Sequence, residues 1–293
     1  HGPSEMDPAV TTTVLLVPCV VVITAGLFYL YGMVVGLLSK TSVRNKVVVI
    51  TDALSGLGKE CASVFHKGGA RLILCGKSWE KLEGLADDLA SASDPTKVST
   101  PPLKKKDHSD SCSESVIAEI LECYGCLDIL ILNTAWFYRI CFVLVLRNML
   151  YVSVSGVLPS MISRRTGHLL LVNSIQGKLT VPFRTTYAAS KHAVQAFFDC
   201  LRAEVEEYGI SVSTISHTFI SSSARVSGDF TYKCGLAYEA VAEIVKTLSN
   251  KRKEVVIAPS LPKVAIYARS FFPNVFFAVM AAGVKNAAAF EKM

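Results

Sequence analysis

KVVVITDALSGLGKECASVFHKG, residues 46–68, holds the parts of a phosphate-binding turn in order. KVVVI (Lys46–Ile50) is a continuous apolar run of β-branched residues, the pattern of a strand buried on both faces. TDALSGLG (Thr51–Gly58) is turn-like, and Lys59–Gly68 has helical spacing that stops at Gly68-Gly69. A helix N-terminus presents free N–H groups and the positive end of a dipole, so it attracts phosphate. Gly56 and Gly58 let backbone approach such a ligand, and Ser55 can donate a hydrogen bond. Asp52 puts a carboxylate where such turns usually have glycine. Aspartate tolerates a left-handed backbone better than most residues, so the turn is expected to survive sterically. Its charge should weaken pyrophosphate binding unless the side chain points away. A plain strand–helix turn has the same outline, so the rest of the chain must carry the reading.

Outward from this stretch, strands and helices alternate. ARLILCG (Ala70–Gly76), LDILIL (Leu127–Leu132), HLLLVNS (His168–Ser174), ISVSTIS (Ile210–Ser216) and EVVIA (Glu254–Ala258) read as strands. Helices are expected at Trp79–Ser91, Ser113–Cys123, Tyr187–Tyr208 and Ala237–Ser249. In the first of these, Leu82, Leu85, Ala86 and Leu89 fall at core spacing. Ser91–Asp110 is polar and proline-bearing, hence loop, with a weak strand compatible just before Asp107. Continuous apolar strands between helices indicate an α/β fold whose parallel sheet is covered on both faces.

The chain has 293 residues, 51% of them hydrophobic, which excludes a disordered protein. From Pro8 to Ser39 there is no charge, and Thr12–Leu38 is apolar for 27 residues. A helix of that length spans about 40 Å, more than the roughly 30 Å hydrocarbon core. No basic leading region or clear cleavage site accompanies it, so it reads as an uncleaved transmembrane anchor. Glu5 and Asp7 precede it, while Lys40, Arg44 and Lys46 follow, placing the large domain on the cytosolic face. Met6 reads as the start residue, with His1–Glu5 an extension ahead of it. Net charge is +6, and the short runs Lys104–Lys106 and Lys251–Lys253 read as solvated faces near anionic lipid rather than as a nucleic-acid site. Nine scattered cysteines suit a reducing compartment, and the CYGC spacing at Cys123–Cys126 has no second pair to make a metal site. The apolar run Ser270–Val284 is too short to span and carries Pro273. It fits a bilayer surface, the core or a dimer contact equally.

The sharpest chemical signal lies farther along. Ser174 ends the strand HLLLVNS, and thirteen residues later YAASK supplies Tyr187 and Lys191. Spacing of four places the phenol and the amine on one helix face. A phenol has an unperturbed pKa of about 10. A neighbouring ammonium favours the phenolate, so the tyrosine can exchange a proton with a substrate hydroxyl or carbonyl. A serine hydroxyl nearby can polarise the same oxygen.

The turn TDALSGLG, the LNTA segment (Leu132–Ala135) after LDILI, and Ser174, Tyr187 and Lys191 together resemble the short-chain dehydrogenase/reductase family. The likeness runs from about Lys46 to Pro259, and MISRRTG, IQGK and PFRTTYAASKHA look like one membrane-anchored branch of it. It implies a Rossmann-type doubly wound parallel sheet, here preceded by one N-terminal transmembrane helix. The expected organisation is a leader (1–11), the anchor (12–38), a linker (39–45), the dehydrogenase domain (46–259) and an apolar extension (260–293). The resemblance also implies NAD(H) or NADP(H) as cofactor and a reticulum membrane, endoplasmic or sarcoplasmic, as location. The substrate would be a lipophilic alcohol or ketone, all-trans-retinol leading. Tyr187 would be the acid–base, Lys191 would hold the nicotinamide ribose, and Ser174 would hold the substrate oxygen. Thr51, Ser55, Gly56, Leu57 and Gly58 would line the pyrophosphate. Asn133 and Asp107 would lie near the adenosine, and Thr218 in the nicotinamide loop.

Several positions depart from the family pattern. The family's PG after the strand ISVSTIS is His217-Thr218, and His217 reads as a surface loop residue. Trp136–Val157 is unusually apolar and shorter than its counterpart, and the fourth catalytic residue, an asparagine, is replaced by Leu146. Asn148 lies two positions away, about 200° around a helix. At the end of the second strand no acid follows Cys75-Gly76, and Lys77 can meet a 2′-phosphate, while the related branch points to NAD(H); both nucleotides stay open. The residues therefore support an oxidoreductase, with a catalytically impaired membrane scaffold or nucleotide sensor as the alternative. Family members usually pair through the Tyr187–Tyr208 helix and the altered segment, which makes a homodimer an open expectation.

Overall fold

The computed structural model describes residues 43–76, 78–91, 114–133, 152–218 and 230–290, with a few helical positions between 19 and 30. The chain divides into two compact units, residues 1–41 and 42–293. In the first unit the described residues are helical and exposed. No helix among the described residues is long and apolar enough to cross a membrane. The expected anchor at 12–38 lies mostly outside them.

The second unit runs β1 (Val47–Ile50), α1 (Gly56–Lys67), β2 (Arg71–Leu74), α2 (Trp79–Ser91), α3 (Glu114–Tyr124) and β3 (Ile129–Asn133). It continues with α4 (Val152–Arg164), β4 (Gly167–Ser174), a 3₁₀ turn (Ile175–Gly177), α5 (Thr185–Val205) and β5 (Ile210–His217). Last come α6 (Phe230–Asn250), β6 (Glu254–Ile257), α7 (Ser260–Phe271) and α8 (Pro273–Phe290). The six strands form one parallel sheet in the order β2-β1-β3-β4-β5-β6. One apolar layer joins Leu130, Leu169 and Leu171 to Val194 and Phe198 of α5. The other joins Ile50, Leu170 and Ile215 to Phe65 of α1 and Ile244 of α6. The expected α/β fold with both faces covered is therefore the observed one, because alternate residues of each strand feed opposite layers.

The order reverses direction at β1: the chain steps outward to β2, then returns to β3 on the other side. In open parallel sheets a ligand crevice forms at the carboxyl ends of the strands beside such a reversal. Thr51 and Asn133 stand there. In register across the same edge, Ser174 pairs with His217, and His217 with Ile257.

Several boundaries differ from expectation, the largest at α6, which starts at Phe230 rather than Ala237. Helix α1 starts at Gly56 rather than Lys59, because Ser55 caps it. Helix α5 ends at Val205, and Glu206–Tyr208 tightens into a 3₁₀ turn before Gly209, whose φ of 73° suits a residue without Cβ. The C-terminal apolar run is not core: Ser260–Phe290 forms two helices, and α7 buries none of its residues. The basic run at 251–253 is exposed, as expected of a solvated face. Arg252 pairs with Glu243 (2.7 Å) and Lys253 with Glu206 (2.8 Å), so two of its charges are met within the protein. Lys178 pairs with Glu254, the first residue of the edge strand β6.

Candidate active site

The phosphate-binding turn is built on side chain to main chain bonds. Asp52 has φ of 50°, the left-handed conformation expected from its place in the turn. Ser55 Oγ donates to the Asp52 carbonyl (2.8 Å) and accepts from the Gly58 amide (3.0 Å) and from Asn133 Nδ2 (2.9 Å). Its proton is thus engaged within the turn, and the hydroxyl works as a helix cap rather than as a donor to a ligand. Gly58 has a packing role as well. A Cβ there would lie 2.3 Å from the Asp52 carbonyl oxygen and 2.7 Å from Ala53 Cα, so this glycine lets α1 close against the turn. At Gly56 a Cβ would meet nothing within 4 Å. This contrast separates folding from binding. Gly58→Ala should destabilise the protein by about 1–3 kcal/mol in urea unfolding, as overpacked sites do. Gly56→Ala should leave the unfolding midpoint nearly unchanged and weaken nucleotide binding. Equal effects of the two substitutions on stability would contradict this division.

Thr51 is 1% exposed and belongs to the frame. Its Oγ1 accepts the Asn133 amide (2.9 Å), tying β1 to β3. Leu57 buries its side chain, so only its main chain is offered to the crevice. Thr218 donates its amide to the Ile257 carbonyl (3.1 Å), which holds the chain after β5 against β6. Lys77 and Asp107 lie outside the described residues. So do 134–151, including Leu146 and Asn148, while the end of that apolar segment belongs to α4.

Ser174 ends β4 at the carboxyl edge of the sheet, and Tyr187 and Lys191 lie one turn apart in the first half of α5. Ser174 and Tyr187 are half-buried, and Ser174 Oγ accepts the Gln176 amide (3.2 Å), starting the 3₁₀ turn. Lys191 Nζ lies 5.3 Å from the centre of the Tyr187 ring. Lys191 is 1% exposed, and burial pushes its pKa down to about 7. The ammonium that the sequence argument relied on is therefore held at the margin of ionisation, which makes it sensitive to a nearby polar ligand.

Sequence reasoning missed the residues that place Lys191. Asn173 Nδ2 donates to the Lys191 carbonyl (3.1 Å) and to Gln195 Oε1 (3.4 Å) from within the core. A Cβ at Gly177 would sit 2.8 Å from the Lys191 carbonyl and 2.6 Å from Asn173 Nδ2, so the 3₁₀ turn must carry glycine to meet α5. The signal in the sequence was a polar pair, Asn173-Ser174, closing an apolar strand. His217 corrects the surface-loop reading. It ends β5 beside Ser174, and its Nδ1 donates to the Thr218 carbonyl (2.7 Å). Burial pushes its imidazole below the usual range; the Thr218 bond opposes that and the Lys191 charge adds to it.

A pattern of this kind is shared widely. The short chain dehydrogenase family profile matches residues 46–229. The chain belongs to the short-chain dehydrogenase/reductase family. It is 53% identical to dehydrogenase/reductase SDR family member 7C-B of Danio rerio, over 94% of this chain and 94% of that protein. It is 42% identical to member 7B of Bos taurus, over 96% of this chain and 93% of the relative. Among solved structures, a β-ketoacyl-[ACP] reductase from Bacteroides thetaiotaomicron superposes with a TM-score of 0.59 at 22% identity, covering 75% of this chain and 99% of that one, a likeness of fold alone. As a short-chain dehydrogenase/reductase the chain is an oxidoreductase that uses NAD(H) or NADP(H). The crevice fits that group. Asn133 Oδ1 is buried with no hydrogen-bond partner among the described residues, an acceptor suited to a ribose or adenine donor. The open space at Gly56 and the first amides of α1 suit a pyrophosphate.

Proposed function

We propose that this chain oxidises or reduces a lipophilic alcohol or ketone at the edge formed by Ser174, Tyr187 and Lys191, with all-trans-retinol the leading substrate. The bound nicotinamide supplies the hydride acceptor or donor. Tyr187 takes the hydroxyl proton during oxidation and returns it during reduction. Ser174, fixed at the end of β4, holds the substrate oxygen, and Lys191 sets the electrostatics of the phenol. Thr51, Ser55, Gly56, Leu57, Gly58 and Asn133 shape the nucleotide crevice, with Thr218, Lys77 and Asp107 assigned to it from the family pattern. The observation that carries this reading is the pairing of Tyr187 with a fully buried lysine 5.3 Å away. A scaffold has no need to keep an amine so far from water. The reading places the chain in the endoplasmic or sarcoplasmic reticulum membrane through residues 12–38, with the large domain cytosolic. The test is nicotinamide absorbance on mixing the protein with retinol and NAD⁺ or NADP⁺, and with retinal and the reduced nucleotides. No turnover with any pair, in the presence of measurable nucleotide binding, would favour a nucleotide sensor.

Asp52 is the observation behind that second reading. Its left-handed backbone suits glycine, and its carboxylate belongs to the turn that faces phosphate. Asp52→Gly should tighten NADH and NADPH binding by roughly three- to tenfold, the effect of removing one like charge near a partly exposed anion. The gain should shrink at high salt. An unchanged affinity would mean the carboxylate is directed away from the ligand.

A further inference from the structure

Most of the exposed large apolar residues described in the second unit lie on helices α7 and α8 or at their junction. In α7, Leu261 (79%), Val264, Tyr267 and Phe271 (73%) are exposed. At 100° per residue these four fall within about 120° of arc, a continuous stripe. Phe272 and Phe277 extend the exposed surface into α8. A helix apolar on all sides is normally buried, and exposed apolar surface of this extent marks a contact with something else. The charge of the segment identifies what. From 260 to 290 the only ionisable side chains of full charge are Lys263, Arg269 and Lys285, with no aspartate or glutamate. Lys263 and Arg269 fall on either flank of the α7 stripe. An apolar face carrying aromatic rings, edged by cations alone, matches the interface of an anionic bilayer. Protein partners and second copies do not require that one-signed edge.

We infer that the α7–α8 segment is an interfacial membrane-binding surface that lies in the headgroup region of an anionic phospholipid bilayer. The segment is joined to the site itself. His217 pairs with Ile257, and Pro259 caps α7 two residues later. The carboxyl edge of the sheet, where Ser174 stands, is thereby tethered to the lipid surface by a connection too short to let it drift away. This contact goes beyond the proposed activity and needs neither retinol turnover nor the 12–38 anchor.

The test places a benzophenone amino acid at Phe277 in the full chain, mixed with phosphatidylcholine vesicles with or without phosphatidylserine. After illumination, mass spectrometry identifies what residue 277 has captured. Phospholipid adducts that increase with phosphatidylserine are the expected result. The double variant Lys263→Glu and Arg269→Glu should lower their yield at least about tenfold, since each basic group near such a surface strengthens binding severalfold. Capture of a second copy, capture of residues 12–38 of the same chain, or no capture would each overturn the inference. Alkaline extraction of the same vesicles reports on the 12–38 anchor separately, so failure of the anchor and failure of the α7–α8 segment give different results.

Discussion

Tyr187→Phe should lower turnover by at least about 10²-fold and up to about 10⁴-fold, the range expected when a positioned proton-transfer group is lost. The substitution removes one oxygen and keeps the ring. The packing of that ring near Lys191 Nζ at 5.3 Å is retained, and Tyr187 is only half-buried, so the fold should not change measurably. Nucleotide affinity should hold as well, because the crevice is built from the β1 turn and Asn133. A fall in kcat with little change in nucleotide binding is the signature of an interaction made in the transition state. The measurement is steady-state turnover beside nucleotide fluorescence titration. Turnover at the original rate would remove Tyr187 from the chemistry and with it the proposed activity.

Lys191→Met should abolish turnover and at the same time stabilise the protein near neutral pH. The amine is 1% exposed, and burial lowers its pKa from 10.5 to about 7. In the unfolded chain the lysine holds its proton up to about pH 10.5. Between pH 7 and 10.5 the unfolded state therefore binds more protons than the folded one. Stability must rise with pH across that window, by up to about 1.4 kcal/mol per pH unit from this group. Below pH 7 both states are protonated, and the folded state carries the full penalty of a buried charge. Methionine has a similar shape and no charge, so the variant should lose the upward slope and gain on the order of 1–4 kcal/mol at pH 7, as other buried charges do on apolar replacement. Urea unfolding at several pH values in the absence of nucleotide tests this. A variant that is less stable at neutral pH and keeps the slope would show that Lys191 is not the titrating group.

The strands were legible because each is a short apolar run bounded by turn residues, and continuous apolarity already implied a sheet covered twice. Ser174, Tyr187 and Lys191 were legible because two of them share a helix face and the third ends a strand. What spacing could not convey was depth. Nothing local to YAASK says that Lys191 is sealed from water while Tyr187, four residues before it, is not. His217 looked like a loop residue because its register with Ser174 depends on two strands more than forty residues apart. Asn173 and Gly177 were passed over for the same reason, since they meet the backbone of a distant helix, and Gln195 of that helix because its partner Asn173 lies on β4. Gly56 and Gly58 looked equivalent in sequence, and only the approach of the Asp52 carbonyl separates them. The apolarity of 260–290 was plain, but whether it would be covered depended on the finished sheet.

The edge strand β6 has a consequence for solubility. It is four residues long, and among the described residues nothing pairs with its outer side. Such a border can recruit a strand from another molecule and seed aggregates. Here Arg252 and Lys253 stand immediately before it and Glu254 opens it, each held by an ion pair. Those pairs add little to folding stability, but they keep charged side chains at the mouth of the border, where an incoming strand would have to strip them of water. On the lipid surface proposed above, the protein would meet its own copies far more often than in free solution. The β6 border is short and guarded by charge.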